Sequence, residues 1–326
     1  MQNPFENPPR TTRQLPFTGI EFGGVREAPP IAQLRGELNQ HLFALTADLP
    51  EPLCAEAHQV LRGYSGGDGD FYRLFYTPIW SFLHWVPEAS GQAADAILLQ
   101  EAQKAHAMSL FLYLWDDHLS DHLLPVDLLR LQVRTLAWQS FASRSRSLCK
   151  RIGTNPSLPD WHANSYLASL HRPRHVLNLE DYCQQFQQQV SIWTVVPYLL
   201  GSVVGGDESA SALARLIMNF AVAWRLLDDV QDIEHDLLRG TESAVWIELD
   251  PSGKELWAAC HSQPQSAEAW AELVQHIQGS GCLQRLLHLI DCNLQTASAT
   301  AAAQGWFGIV QELEQCRQGI GIRPKR

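Results

Sequence analysis

Twice along its length this chain runs an apolar stripe of helical spacing straight into a run of aspartates. That pattern limits the fold more than any other feature. The first stripe is Ile97, Leu98, Ala105, Met108 and Leu112, and it leads into Trp115-Asp116-Asp117-His118-Leu119-Ser120-Asp121. The second is Leu213, Leu216, Ile217, Phe220, Trp224 and Leu227, and it leads into Asp228-Asp229-Val230-Gln231-Asp232-Ile233-Glu234-His235-Asp236. Residues four apart share a helix face. Met108, Leu112 and Asp116 are therefore expected in one row, and Asp117 and Asp121 in another. Asp228, Asp232 and Asp236 continue the row of Phe220 and Trp224. Like charges at this spacing repel by ~0.2–0.5 kcal/mol on an exposed helix, and by more when partly buried. An acidic last turn also opposes the helix dipole. Hard divalent cations are the natural compensation, because Mg²⁺ takes one or two carboxylates and keeps positions for water and phosphate oxygens. Two such clusters facing each other would hold several Mg²⁺ ions and, through them, a diphosphate. The stripes beneath would line a pocket for a hydrocarbon tail.

The remainder of the 326 residues reads as helix. Val and Ile are sparse, Ala, Leu and Gln are plentiful, and no run alternates as a strand would. Breaks fall at Gly63–Gly69, Pro87–Gly91, Pro125, Gly153–Pro159, Pro173, Gly205–Asp207, Pro251–Gly253, Pro264 and Gly279–Gly281. No linker forces a boundary, so the expectation is one all-α domain over residues 31–326, preceded by a proline-rich mobile arm over residues 1–30. Lys plus Arg total 24 against 35 Asp plus Glu, a net charge of −11, which argues against nucleic acid as a partner. No stretch of 18 apolar residues is present; Ile192–Val204 comes nearest and contains Pro197, so no transmembrane segment is expected. Residues 1–16 lack the apolar run of a secretory signal. Seven cysteines without a CxxC pair read as reduced thiols of a cytoplasmic protein.

A diphosphate also needs direct cationic donors, and arginine suits phosphate through its planar fork. Arg225 lies three residues before Asp228, Arg172 and Arg174 flank Pro173, and Arg239 follows the second acidic run. Ring faces for a carbocation are offered by Trp80, Phe111, Trp115, Phe186, Trp193 and Trp224, each worth about 0.5–2 kcal/mol. With Leu112 these are the candidate cavity-lining residues. Gly63-Tyr64-Ser65-Gly66-Gly67 matches a GxSxG elbow, but its flanks are helical and that motif needs a strand before it. His118 and His122 are four apart but lack a third zinc ligand.

The pair DDHLSD (116–121) and DDVQDIEHD (228–236), 112 residues apart, resembles the two aspartate-rich motifs of the class I isoprenoid (terpene) synthase superfamily. In its context WRLLDDVQDIEHDLLRG, the second motif is closer to trans-prenyl diphosphate synthases than to ordinary terpene cyclases. The resemblance implies a single-domain helix bundle around a central active-site cavity, with the motifs facing each other across its mouth. It implies three Mg²⁺ ions bound through Asp116, Asp117, Asp121, Asp228, Asp232 and Asp236. Asp116, Asp117, Asp228 and Arg225 would be catalytic, and Arg225, Arg172, Arg174 and Arg239 would hold the diphosphate. A homodimer is also implied.

The departures from that family are specific. Where chain-elongating synthases carry a Gly-Gly-Lys-Arg-type segment for isopentenyl diphosphate, this chain has Ser65-Gly66-Gly67-Asp68-Gly69-Asp70. Their arginine pair after the first motif is replaced by His122-Leu123-Leu124-Pro125, their Lys-Thr by Val190-Ser191, their Phe-Gln by Trp224-Arg225, and their Gly-Lys step by Gly240-Thr241. Losing cations from an anion site removes a second diphosphate. The sequence reading is therefore a Mg²⁺-dependent terpene synthase that ionises one allylic prenyl diphosphate and cyclises or rearranges the cation. The alternative is a prenyltransferase or prenyl diphosphate synthase that passes the group to a second substrate. Phe111, five residues before Asp116, stands where a bulky group shortens the pocket in elongating relatives, which points to a C15 or C20 substrate. Leu179 to Gly201 resembles the kinked helix of bacterial cyclases, with Pro197 supplying the break.

Overall fold

A computed structural model describes residues 17, 19–47, 49–91, 95–170 and 176–320. Fourteen α-helices account for most of these, and no strand occurs among the described residues. They are α1 (Pro29–Ala44), α2 (Leu53–Tyr64), α3 (Pro78–Ser90), α4 (Ala96–Ser120), α5 (Leu128–Ile152), α6 (Leu158–Leu170) and α7 (Leu179–Gln189). There follow α8 (Val195–Gln231), α9 (Ile233–Arg239), α10 (Ala244–Glu248), α11 (Pro251–Ser262), α12 (Ala267–Gly279), α13 (Cys282–Ala303) and α14 (Phe307–Arg317). The all-α single-domain expectation holds.

Local chemistry sets the ends of the site helices. Asp95 caps α4 by accepting from the Ile97 and Leu98 amides, Asp127 caps α5 through Arg130, and Asn178 caps α7 through Asp181. Gly153 and Gly240 close α5 and α9 in the left-handed conformation. The core runs through the bundle without a break, and α4 and α8 form its spine, α4 packed on α5 and α8 on α13.

Two expectations change. The arm assigned to residues 1–30 is packed in its second half. Phe17, Ile20 and Phe22 are buried, the Gly23 amide donates to the Cys316 carbonyl at 2.8 Å, and Gln231 Nε2 donates to the Ile20 carbonyl at 2.9 Å. Burial of three large apolar side chains outweighs the extended, proline-rich character of the segment, and α1 begins already at Pro29. The second change concerns the central helix. Pro197 lies in the first turn of α8, where a missing amide costs little, after a 3₁₀ turn over Ser191–Thr194. The break comes at Gly205 (φ −149°, ψ 22°) and Gly206 (φ 70°, ψ −159°), within the Gly205–Asp207 break read from the sequence. The chain bends back so tightly that a Cβ on Gly201 would stand 2.6 Å from the Ser209 carbonyl oxygen. Ser191–Gln231 is long and apolar enough to cross a bilayer on length and composition, contrary to the sequence reading, but most of its apolar window is buried inside the bundle.

Candidate active site

The C-terminal halves of α4 and α8 border a cleft of about 490 Å³, whose wall carries Asp117 of the first acidic run and Arg225, three residues before the second. Its wall includes Tyr113, Asp117 and Ser120 from α4, Tyr166 and Leu170 from α6, Tyr182 and Phe186 from α7, and Arg225 from α8. Arg239 and residues 240–242 complete the rim. Arg239, three residues past the second run, donates from Nη1 to Asp121 Oδ2 of the first at 2.7 Å. The charge of Asp117 is among those that raise Asp228.

The face of α4 turned to the cleft is displaced by one residue from the face the stripe predicts. Tyr113, Asp117 and Ser120 line the space, whereas Phe111, Leu112, Trp115 and Asp116 are buried on other faces. Asp116 is 5% exposed. Arg134 of α5 grips it with Nε to Oδ1 at 2.5 Å and Nη2 to Oδ2 at 2.8 Å, and the Tyr166 hydroxyl donates to Oδ2 at 3.0 Å. Asp116, read from sequence as a metal ligand beside Asp117, therefore has both oxygens committed inside the bundle. Asp117 is exposed to the cleft.

In the second run Asp232 is exposed and Asp228 half-buried, while Asp229 is 1% exposed. The Tyr182 hydroxyl donates to Asp229 Oδ2 at 2.6 Å, the Ala244 amide donates to the same oxygen at 2.9 Å, and Arg225 Nη2 lies 3.2 Å from Oδ1. Arg225 Nε also donates to the Tyr182 oxygen at 2.9 Å, and its Nη1 reaches Asp228 Oδ2 at 3.4 Å. Burial, with the adjacent carboxylates, holds the Tyr182 and Tyr166 phenols well above their usual range, so both remain proton donors. α8 ends at Gln231, one residue before Asp232, yet the Asp232 and Asp236 amides donate to the carbonyls four residues back, each at 2.9 Å. Asp236 is thereby kept near the row but buried, with Oδ2 lacking any hydrogen-bond partner. Burial first, then Asp229, pushes Asp236 up to about 8. Burial and the carboxylates of Asp232, Asp229 and Asp117, opposed by Arg225, push Asp228 up to about 7.

This donor set suits hard cations. Carboxylates converge from two helices, one buried carboxylate oxygen is unpartnered, and mutual repulsion raises proton affinity. Among the described residues no three carboxylate, imidazole or thiol groups are close enough to ligate one ion alone. Mg²⁺ does not need them to be, since it takes one or two carboxylates and completes its shell with water and phosphate.

Of the other predicted residues, Arg225 and Arg239 line the cleft, and Arg172 and Arg174 lie outside the described residues. Of the predicted cavity-lining set, Phe186 lines it. Trp193 is fully buried and stacks on Trp224 at 5.8 Å, and Trp80 is fully buried in α3. Phe111 packs against Phe71, of the 3₁₀ turn Phe71–Leu74, at 5.5 Å and against Trp115 at 4.9 Å, and it does not line this cleft. Sequence reasoning missed Tyr113, Arg134, Tyr166 and Tyr182. Tyr113 could have been found at four residues before Asp117; the others come from separate helices with no motif around them.

The glycine-rich turn after α2 abuts the first run, since the Tyr64 hydroxyl and His118 Nδ1 are 2.9 Å apart. Two arginines near it are paired. Arg73 Nη1 lies 2.7 Å from Asp68 Oδ2 and Arg35 Nη1 3.0 Å from Asp70 Oδ2, while Asn39 donates to Asp70 Oδ1 at 2.8 Å.

No protein-family model and no curated protein sequence matches the chain. Solved structures do. A geranylgeranyl pyrophosphate synthetase from the archaeon Geoglobus acetivorans has a TM-score of 0.64 at 14% identity, over 88% of this chain and 99% of its own. A polyprenyl synthase from Caulobacter crescentus, complexed with calcium and isoprenyl diphosphate, has 0.60 at 15%, over 91% and 100%. A decaprenyl diphosphate synthase from Rhodobacter capsulatus has 0.63 at 9%, over 90% and 98%. The chain thus has the all-α isoprenoid synthase fold.

Proposed function

We propose that this chain ionises an allylic prenyl diphosphate in a Mg²⁺-dependent reaction and passes the prenyl group to an acceptor. The observation that carries the reading is the approach of two acidic helix ends beside one cleft: Asp117 lines it and its charge helps raise Asp228, while Arg239 on the wall holds Asp121. Similar folds whose names specify prenyl diphosphate synthesis support transfer over cyclisation. Asp117, Asp121, Asp228, Asp232 and Asp236 would hold the cations. Bound Mg²⁺ supplies Lewis-acid stabilisation of the departing diphosphate. Arg239, and Arg225 from below, add guanidinium donors for the same oxygens. Tyr113 and Phe186 put aromatic rings in the wall, where a cation gains about 0.5–2 kcal/mol from each. The volume suits a small-molecule site.

One observation favours a second reading, intramolecular capture of the cation by a terpene synthase. The glycine-rich turn offers paired arginines, which disfavours a second diphosphate. Both readings are tested by incubating the protein with Mg²⁺ and geranyl, farnesyl or geranylgeranyl diphosphate, with and without isopentenyl diphosphate, and analysing extracts by mass spectrometry. A longer diphosphate made only with isopentenyl diphosphate establishes transfer. A cyclic hydrocarbon or alcohol made without it establishes cyclisation. Failure to release diphosphate under either condition would refute the shared premise.

A further inference from the structure

The two acidic runs have the same construction beneath them. Behind the first, Asp116 is buried and held by an arginine (Arg134) and a tyrosine hydroxyl (Tyr166, 3.0 Å). Behind the second, Asp229 is buried and held by an arginine (Arg225) and a tyrosine hydroxyl (Tyr182, 2.6 Å). Each clamp joins helices that do not otherwise share the acidic turn: α4, α5 and α6 in the first case, α7 and α8 in the second. Both tyrosines also line the cleft. In each run the clamped aspartate stands next in sequence to a more exposed one, Asp117, which lines the cleft, or Asp228, which is half-buried.

From this repeated juxtaposition we infer that Asp116 and Asp229 are positioning residues and not cation ligands, and that the Asp116–Arg134–Tyr166 and Asp229–Arg225–Tyr182 clamps fix the directions in which the neighbouring aspartates present their carboxylates. The inference rests on the proposed cation and diphosphate site. Its physical basis is that carboxylates within one run repel one another and would splay if their helix turns could rotate. An anchored aspartate in the same turn prevents that. Arg134 grips both oxygens of Asp116 and fixes its carboxylate plane, Arg225 reaches one oxygen of Asp229, and each tyrosine ties its aspartate to a neighbouring helix. Groups that orient metal ligands cost roughly 10- to 100-fold in metal affinity when removed.

The test counts cations on the full chain. Mn²⁺ is titrated in the presence of inorganic pyrophosphate, and free Mn²⁺ is read by electron paramagnetic resonance. Asp117→Asn and Asp228→Asn should bind fewer Mn²⁺ ions than wild type. Asp116→Asn, Tyr166→Phe and Tyr182→Phe should keep the wild-type number but bind it roughly 10- to 100-fold more weakly. A purely structural role would lower the unfolding midpoint and leave Mn²⁺ affinity unchanged. Loss of an ion from Asp116→Asn would make it a ligand and overturn the inference. Wild-type affinity in both tyrosine variants would do the same, and those variants keep the Arg–Asp pairs, so they serve if Asp116→Asn does not fold. No Mn²⁺ bound by wild type would instead refute the proposed site itself.

Discussion

Glu312 offers a quantitative check of the packing that holds the C-terminal helix in place. It lies on α14, 5% exposed, where one carboxylate oxygen accepts from the Ser81 hydroxyl and the other from Trp85 Nε1 at 2.7 Å. Burial raises its carboxyl from 4.5 to about 7 against the opposing pull of those two donors, with a small contribution from Glu27. The unfolded chain releases this proton near its ordinary value, whereas the folded chain keeps it to about pH 7. Between those limits the folded state binds more protons, so stability falls as pH rises. The contribution is complete below pH 4.5 and lost above pH 7. At ~1.36 kcal/mol per pH unit, the loss is roughly 3 kcal/mol. Glu312→Gln is neutral throughout and retains a carbonyl acceptor for Trp85 and an N–H for the Ser81 oxygen. Thermal and urea unfolding of both proteins from pH 5 to pH 8.5 should show near-equal stability at pH 5. The variant should become the more stable by roughly 3 kcal/mol at pH 8.5. Parallel pH profiles for the two proteins would show that Glu312 is not a buried acid and would refute the argument.

The other predictions concern the cleft and its supports. Asp117→Asn and Asp228→Asn should each slow diphosphate release by about 100-fold or more with the circular dichroism spectrum unchanged, since charge stabilisation of the leaving group is lost; wild-type rates would remove the residue from the site. Because Asp228 is raised to about 7 and Asp236 to about 8, cation binding must displace protons. Apparent Mn²⁺ affinity with pyrophosphate should therefore climb between pH 6 and pH 8, with proton release measurable by calorimetry in buffers of different ionisation enthalpy. A flat profile would mean that these groups are already ionised. Gly308→Ala places a Cβ 2.2 Å from Trp85 Cδ2, in the contact that Glu312 closes. It should cost ~1–3 kcal/mol in unfolding experiments.

Much of the fold was legible because its signals are local. The glycine stop at Gly153 and the missing strand pattern are properties of a few neighbouring residues, and helix class follows from them. The long-range features were not legible. Pro197 is the residue a reader suspects of breaking α8, yet it sits in a first turn where it is tolerated. Gly205 and Gly206, a break the sequence does mark, make the bend, and Gly201 allows the two arms to meet. That last requirement depends on what lies opposite a residue in space, which its neighbours in sequence do not record.

The site shows the same division at finer resolution. A spacing of four puts aspartates on one face but does not say which of two adjacent rows faces the cleft. Asp116 continues the apolar row Met108–Leu112, and that row is buried, so a carboxylate arriving at its end must be buried with it. Arg134 and Tyr166 supply what such a carboxylate needs, a bidentate cation and a hydroxyl donor, from α5 and α6. The row that begins at Tyr113 then inherits the cleft, with Asp117 and Asp121 after it. In the second run Arg225, and not the apolar row Phe220–Trp224, lines the cleft, and the buried carboxylate, Asp229, is the one clamped. A stripe leading into carboxylates thus has two outcomes. If the row ends at the rim, its aspartate faces solvent and cations. If it ends one residue deeper, the aspartate becomes a structural anion, and its partners decide whether the fold tolerates it.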